Sequence, residues 1–362
     1  MNKYRLRQSV GIVVQNNVTE FFKANVRNST KIKIGFTDII NLLQLFDGKT
    51  PLNRVAEQYP GLNREQLNDF VTFLNKEHVL ILNNVSYTDT LKNEQYRLIN
   101  TLEEFCYSSS EVIECLDKIT SSKVVIIGAG AVGSNIAAYL ASCGVGEIIL
   151  IDNDVVDISN LHRQFFFEED IGHKKALTLA TKLQKINPSI SVTPIDDKID
   201  TTFFDRNQLP DDVNVIINCS DEPSVDFTSE IIAKYCMPRN IPHIVGGGYN
   251  LHQTLIGQTI IPYETACFNC FSLYLNNQSA KELKNVKKLH RDKRKLGSFS
   301  PLSGIAATLA SLDALKLIID KKQFLQQTNK RVEFNLRHNE FNSQFIPKDP
   351  SCAWCSHEKN DF

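Results

Sequence analysis

One stretch constrains this chain more than any other. Val124-Val125-Ile126-Ile127 runs straight into Gly128-Ala129-Gly130-Ala131-Val132-Gly133, after which Ile136, Ala137 and Leu140 share one face at helical spacing. An apolar run ended by glycines reads as a buried strand, then a tight turn and a helix. The glycines let the main chain turn and approach a phosphate, and the helix N-terminus meets the charge with its amides and dipole. Asp152 stands nineteen residues past Gly133, at the end of the next apolar run, where a carboxylate suits a ribose hydroxyl. Together these features assign nucleotide binding to Gly128, Gly130, Gly133 and Asp152. A structural turn, the competing reading, has no need of the acid.

Strands alternating with helices come next. Strands are expected at 123–127, 147–152, 191–195, 213–219 and 243–246, so the fold class is α/β: a Rossmann-like, doubly wound, mostly parallel sheet. Ahead of it, residues 31–83 form a separate small unit. Ile32 and Ile34 suggest a strand, and Phe36, Ile39, Ile40, Leu43 and Phe46 fall at helical spacing before Asp47-Gly48. A second helix begins near Leu52, a third at Asn63 with Gln66 completing its cap, and the apolar run 79–82 closes the unit. That order resembles a winged helix. Packing or dimerisation is one use for such a unit; clamping a peptide along a strand edge is another. The polar stretch 83–93 reads as a linker, placing the domains at 1–90 and 91–362.

With 362 residues, 42% of them hydrophobic, the chain can fill about two domains. Its 40 basic and 41 acidic residues nearly cancel, which argues against a nucleic-acid-binding role. No apolar run is read as a membrane span and no signal peptide is read at the N-terminus, so a cytoplasmic location is expected. The segment 281–295 holds eight Lys or Arg against two acids and is expected to be an exposed loop. Four of the nine cysteines form two C-x-x-C pairs, Cys267/Cys270 and Cys352/Cys355, a spacing that asks for a metal. Those at 106, 115, 143, 219 and 236 lie in apolar or helical context and read as core.

A glycine loop and an acid also suit an NAD-dependent oxidoreductase. The residues beyond Asp152 decide otherwise: Asn153-Asp154, then Asn160-Leu161-His162-Arg163-Gln164, then Gly172-His173-Lys174-Lys175. A triphosphate with magnesium needs such an array, because cations neutralise charge moving onto pyrophosphate while a carboxylate holds the metal.

The pattern D-x-D-x-x-x-x-x-N-L-x-R-Q, then G-x-x-K and a later Ser220-Asp221, resembles the adenylating family of ubiquitin-activating enzymes and activators of bacterial sulfur-carrier proteins, over about residues 90–360. The resemblance implies ribose binding by Asp152, magnesium ligation by Asp221, and phosphate contacts from Asn160, Arg163, Gln164 and Lys175. Asp154 would support the metal or the acyl-phosphate. Arg163, Lys175, Asp221 and Asp154 are thus the implied catalytic set. It also implies that Cys267, Cys270, Cys352 and Cys355 hold a structural zinc, with all four positions closed to catalytic water. Where the family carries R-Y-x-R, its second arginine reaching a partner subunit, this chain has Gln95-Tyr96-Arg97-Leu98.

The front unit and the runs GEIILIDND, NLHRQ and NPSISV are similar to enzymes of the microcin C type, which attach a nucleotide to a short ribosomal peptide. That resemblance implies a homodimer in which the front unit clamps the peptide. ATP or CTP would activate the C-terminal Asn carboxylate, a succinimide would form, and a second nucleotide would join through an N–P bond. Activation of a ubiquitin-like sulfur carrier is the alternative with the same fold; a non-catalytic leader-binding module is the third. In the family's thioester-forming members a cysteine lies beyond the first zinc pair, whereas 271–300 here has none.

Overall fold

A computed structural model describes residues 2–34, 38–246, 249–250, 253–282 and 297–356. It divides into two units, Met1–Asp117 and Lys118–Phe362.

The first unit opens with β1 (Lys3–Leu6) and an antiparallel meander of β2 (Val10–Gln15), β3 (Val18–Lys23) and β4 (Asn28–Lys33). Asn16 and Asn17 both take positive φ, 49° and 61°, the two-residue turn whose twist matches paired strands and which asparagine tolerates. Then come α1 (Ile39–Gln44), β5 (Asp47–Pro51), α2 (Leu52–Gln58), α3 (Arg64–Lys76) and β6 (Leu80–Leu82). A second sheet has the order β5-β1-β6. Ile39, Leu42, Leu43, Val55, Leu67, Val71 and Leu74 build one core against Phe21 of the meander. The cap of α3 forms as expected: the Asn63 side chain accepts from Gln66 N–H at 2.7 Å, and Gln66 Oε1 accepts from Asn63 N–H at 3.2 Å.

This unit holds more strands than the sequence reading, which had them only through Ile32 and at 79–82; β5 stands where a helix stop was read. The strands before residue 31 were not anticipated, and the strand through Ile32 pairs with β3, while the closing strand β6 pairs with β1. Strand β2, VGIVVQ, sets apolar residues side by side and so weakens the two-residue period that marks a strand. Its flanking Asn-Asn was the usable signal.

Helices α4 (Asp89–Glu94), α5 (Tyr96–Leu102) and α6 (Ser109–Thr120) come after β6. Buried Arg7 donates to the carbonyls of Leu80, Glu103 and Cys106, and Arg5 pairs with the buried Glu103 carboxylate at 2.5 Å. These bonds tie residues 103–106 to β1 and β6, within the first unit.

The second unit runs β7 (Lys123–Ile127), α7 (Gly133–Ser142), β8 (Glu147–Ile151), α8 (Lys175–Ile186), β9 (Ser191–Ile195), α9 (Phe203–Arg206), β10 (Val215–Asn218), α10 (Val225–Arg239) and β11 (His243–Val245). Continuing, β12 (Tyr249–Asn250), β13 (Gln253–Ile256), β14 (Thr259–Ile260), α11 (Phe268–Glu282), α12 (Ser300–Ile318), β15 (Lys330–Asn335) and β16 (Glu340–Phe345) complete it. The main sheet has the order β14-β11-β10-β7-β8-β9, parallel except for β14 at one edge. Val125, Ile127, Ile149, Ile151 and Ile216 pack with Ile232 and Cys236 of α10, which is why these strands read as unbroken apolar runs. A separate antiparallel sheet, β12-β13-β15-β16, lay outside the sequence reading. Most of the basic segment 281–295, from residue 283 onward, falls outside the described residues.

By length and apolar composition α12 could cross a membrane, contrary to the expectation that no run approaches that size. Its buried face, however, carries Asp313, whose carboxylate accepts from Thr259 Oγ1 at 2.9 Å and from Gln327 N–H at 3.1 Å. A helix that buries a fully partnered aspartate against its own unit is a core helix.

Candidate nucleotide site and cysteine cluster

Strand β7 delivers its glycines to the end of the neighbouring β10, and the three have different surroundings. Gly128 has φ +91°, and a Cβ there would lie 2.7 Å from the carbonyl of Cys219 and 2.9 Å from Ser220 N. A Cβ on Gly133 would sit 1.8 Å from the Gly128 carbonyl oxygen and 3.2 Å from Cys219 Cβ. Around Gly130 nothing lies within 4 Å. Two glycines therefore permit the turn and the close packing of α7, and the third leaves open surface at the helix start.

Asp152, at the end of β8, accepts from Ala129 N–H of the glycine loop at 2.6 Å and from Asp154 N–H at 2.8 Å. Burial pushes its carboxyl above the usual range, against the pull of Lys175 and of these amides. Lys175 opens α8, is itself buried, and reaches Asp154 Oδ2 at 2.7 Å; its backbone N–H donates to the Asp154 carbonyl at 3.0 Å. Asn160 is buried and closes a turn with Asp157, its Oδ1 accepting from Asp157 N–H at 3.0 Å. On that turn Arg163 donates through Nη1 to the Ser159 carbonyl at 2.5 Å, while Arg163 Nε and Gln164 Oε1 are buried without a partner. The next residue, Phe165, donates its N–H to Ser134 Oγ at 3.1 Å and so ties the turn to the first turn of α7.

Asp221 is exposed just past β10, after Cys219-Ser220. Asn218 holds that strand end by donating to Thr228 Oγ1 and Ser229 Oγ, both at 2.9 Å. Burial, with a smaller contribution from Asp221, pushes the Cys219 thiol up to about 12. The fold thus joins the glycine loop, Asp152, Asp154 and Lys175 directly, anchors the 160–164 turn to α7, and sets Asp221 on the adjacent strand end. Arg97 belongs to α5 of the first unit, its guanidinium 5.3 Å from the centre of the Tyr96 ring. The sequence reading named Lys174 only as part of the run 172–175, gave it no role of its own, and passed over Asp196: Lys174 Nζ donates to the Asn153 carbonyl at 2.9 Å and pairs with Asp196 at 3.0 Å. Lys174 fills an unspecified position of G-x-x-K and Asp196 stands in no motif, so only the folded loop brings them together.

Elsewhere in this unit, Cys267, Cys270, Cys352 and Cys355 are all buried, with their sulfurs within 4.8 Å of one another. Cys267 lies 3.5 Å from Cys352 and Cys270 3.4 Å from Cys355. Tetrahedral zinc with Zn–S bonds of ~2.3 Å sets sulfurs about 3.8 Å apart, so this donor set fits zinc. Asp349 N–H donates to Cys270 Sγ at 3.4 Å, a main-chain bond of the kind that favours a sulfur ligand in its thiolate form.

A mostly parallel sheet with a glycine loop and a buried acid at adjoining strand ends, and with a buried four-cysteine cluster, defines a Rossmann-like α/β protein. More narrowly, the chain belongs to the ThiF family, whose model matches residues 97–354. It is 32% identical over 205 residues to the sulfur carrier protein ThiS adenylyltransferase of Escherichia coli K12, covering 56% of this chain and 74% of that protein. It is 27% identical to the SAMP-activating enzyme E1 of Haloferax volcanii, covering 66% and 82%. Among solved structures, E. coli MccB with ATP is similar at a TM-score of 0.77 and 24% identity, covering 98% of this chain and 100% of that one. MccB with a succinimide is similar at the same TM-score, identity and coverage. These structures extend the likeness in fold over the first unit as well.

Proposed function

We propose that this protein is a magnesium-dependent peptide nucleotidyltransferase. It would activate the C-terminal Asn carboxylate of a short ribosomal peptide and leave a nucleotide on it through an N–P bond. What carries the reading is the array Asp152, Asp154 and Lys175 at the glycine loop, together with a front unit that a minimal nucleotide site does not need. The MccB structures with ATP, with a succinimide and with AMPCPP plus the peptide MccA support it.

In this reading the peptide carboxylate attacks the α-phosphorus of ATP or CTP, pyrophosphate leaves, and an acyl-nucleotide forms. The Asn side-chain nitrogen then attacks the activated carbonyl, expelling the nucleoside monophosphate and closing a succinimide. Its nitrogen attacks a second NTP, again releasing pyrophosphate. Gly130 and the start of α7 receive the phosphates, Asp152 the ribose, and Asn160, Arg163, Gln164 and Lys175 the charge that grows on the leaving pyrophosphate. The buried, unpartnered Arg163 Nε and Gln164 Oε1 are then the groups awaiting a ligand. Among the described residues no cluster of three or more carboxylates or histidines forms a metal cage. Magnesium takes one or two carboxylates plus substrate phosphates, and Asp221, with Asp154 in support, would supply them. Bound there, it neutralises phosphate charge.

The sulfur-carrier alternative draws support from the 32% identity to the ThiS adenylyltransferase. Purified protein incubated with each NTP, against a panel of Asn-terminated peptides and a sulfur-carrier protein ending in Gly-Gly, separates the two. The proposal expects a nucleotide-sized mass gain on a peptide. Pyrophosphate release only with the carrier protein would overturn it. A homodimer whose front unit holds the peptide completes the proposal.

A further inference from the structure

We propose that Lys174 is a positioning residue for the nucleotide, acting through the loop that carries Asp152 and Asp154; this rests on the function proposed above. Lys174 and Lys175 are neighbours, yet they grip that loop differently. Lys174 is extended, with φ −62° and ψ 128°, so the two side chains leave the chain in different directions. Lys175 takes the Asp154 carboxylate at 2.7 Å. Lys174 takes the Asn153 carbonyl at 2.9 Å and Asp196 at 3.0 Å.

Asp196 directly succeeds β9, and Asp152 N–H donates to the carbonyl of Ile195 at 3.1 Å. One ammonium therefore bolts the loop after β8 to the end of β9, while Ala129 holds Asp152 from the β7 side. The strand order β7-β8-β9 gives this direction a meaning. A nucleotide with phosphates at the end of β7 and ribose at the end of β8 points its base toward the end of β9. The Lys174–Asp196 pair stands there. Without it, the loop keeps its ties to Ala129, Ile195 and Lys175 but loses the side-chain tie from the Asn153 carbonyl to Asp196, and with it part of the fixed geometry that ribose recognition needs.

The test uses the full-length protein and its Lys174→Met, Lys174→Arg, Asp196→Asn and Lys174→Met/Asp196→Asn variants. Affinity for ATP and CTP is measured by titration calorimetry, and KM and kcat with the best substrate from the panel above. Lys174→Met is expected to weaken nucleotide binding roughly two- to fivefold, the scale of a half-exposed ion pair. KM for nucleotide should rise far more than KM for the second substrate, and Lys174→Arg should restore part of the loss. The double variant should be little worse than either single one. An active Lys174→Met enzyme with wild-type nucleotide affinity overturns the inference, as does additive loss in the double variant. Wild-type protein that binds no nucleotide overturns instead the proposed function beneath it.

Discussion

The three loop glycines make an internally controlled experiment, because a methyl group meets something different at each. In Gly133→Ala the new Cβ lies 1.8 Å from the Gly128 carbonyl oxygen, more than 1 Å inside contact, and the obstacle is backbone. Helix α7 or the loop must move, which costs about 3 kcal/mol or more by the scale of overpacked cores. In Gly128→Ala the clash at 2.7 Å adds to a φ of +91° that L-residues resist, a strain of roughly 1–3 kcal/mol by itself. Gly130→Ala meets nothing within 4 Å, and by stiffening the unfolded chain it is expected to leave stability unchanged or raised by about 0.4–1 kcal/mol. For a unit of this size each kcal/mol moves Tm by roughly 2–4 °C. Calorimetry should then show Gly133→Ala melting at least ~6 °C below wild type, Gly128→Ala lower by a similar amount, and Gly130→Ala between the wild-type value and about 4 °C above it. Nucleotide titration should reverse the comparison for Gly130→Ala, whose methyl occupies the surface a phosphate approaches, lowering affinity by about tenfold or more. Wild-type stability in Gly133→Ala would refute the packing argument, and wild-type nucleotide affinity in Gly130→Ala would refute its role as the phosphate face.

Metal analysis is expected to return one zinc per chain, and Cys352→Ser to lower Tm by several degrees with nucleotide affinity little changed, since the cluster is closed and buried; zinc-free, fully stable protein would count against it. Lys175→Ala and Asp221→Ala are expected to reduce turnover about a hundredfold or more while zinc content and circular dichroism stay those of wild type; activity at wild-type level would remove their roles. His243 is buried, its Nδ1–H bonded to the Ile241 carbonyl, and burial lowers its pKa from 6.5 to about 4. The unfolded chain therefore takes a proton that the native state refuses, so stability is lost as pH falls from about 6.5 toward 4, by on the order of 3 kcal/mol; a Tm profile just as steep in His243→Gln would assign the loss elsewhere. Burial also pushes the Cys143, Cys219 and Cys236 thiols up, so intact-mass spectrometry during turnover should find no hydroxylamine-labile adduct on the enzyme.

The sequence by itself determined the parallel sheet of the second unit to within a residue or two, most directly at β7, β8 and β10, which are almost wholly buried and read as short, largely apolar runs. It also marked the α3 cap, where Asn63 and Gln66 are three residues apart and interact without help from the rest of the fold. The cysteine pairs and the Asp152 to Lys175 array were legible as residue types at characteristic spacing. Pairings between distant segments needed the tertiary structure. The partner of β6 is β1 rather than the strand through Ile32, and two half-exposed antiparallel strands with weak alternation offer no local signal for that choice. Tertiary packing also made α12 a core helix, since its apolar composition alone allows a membrane span and Thr259 and Gln327 supply the partners that let Asp313 be buried. It separated three identical glycines into two that packing demands and one that faces open space. Local periodicity records burial along one element, whereas the partner of a lysine such as Lys174 is set by a strand end twenty-two residues away in the chain, which only the assembled sheet brings within 3.0 Å.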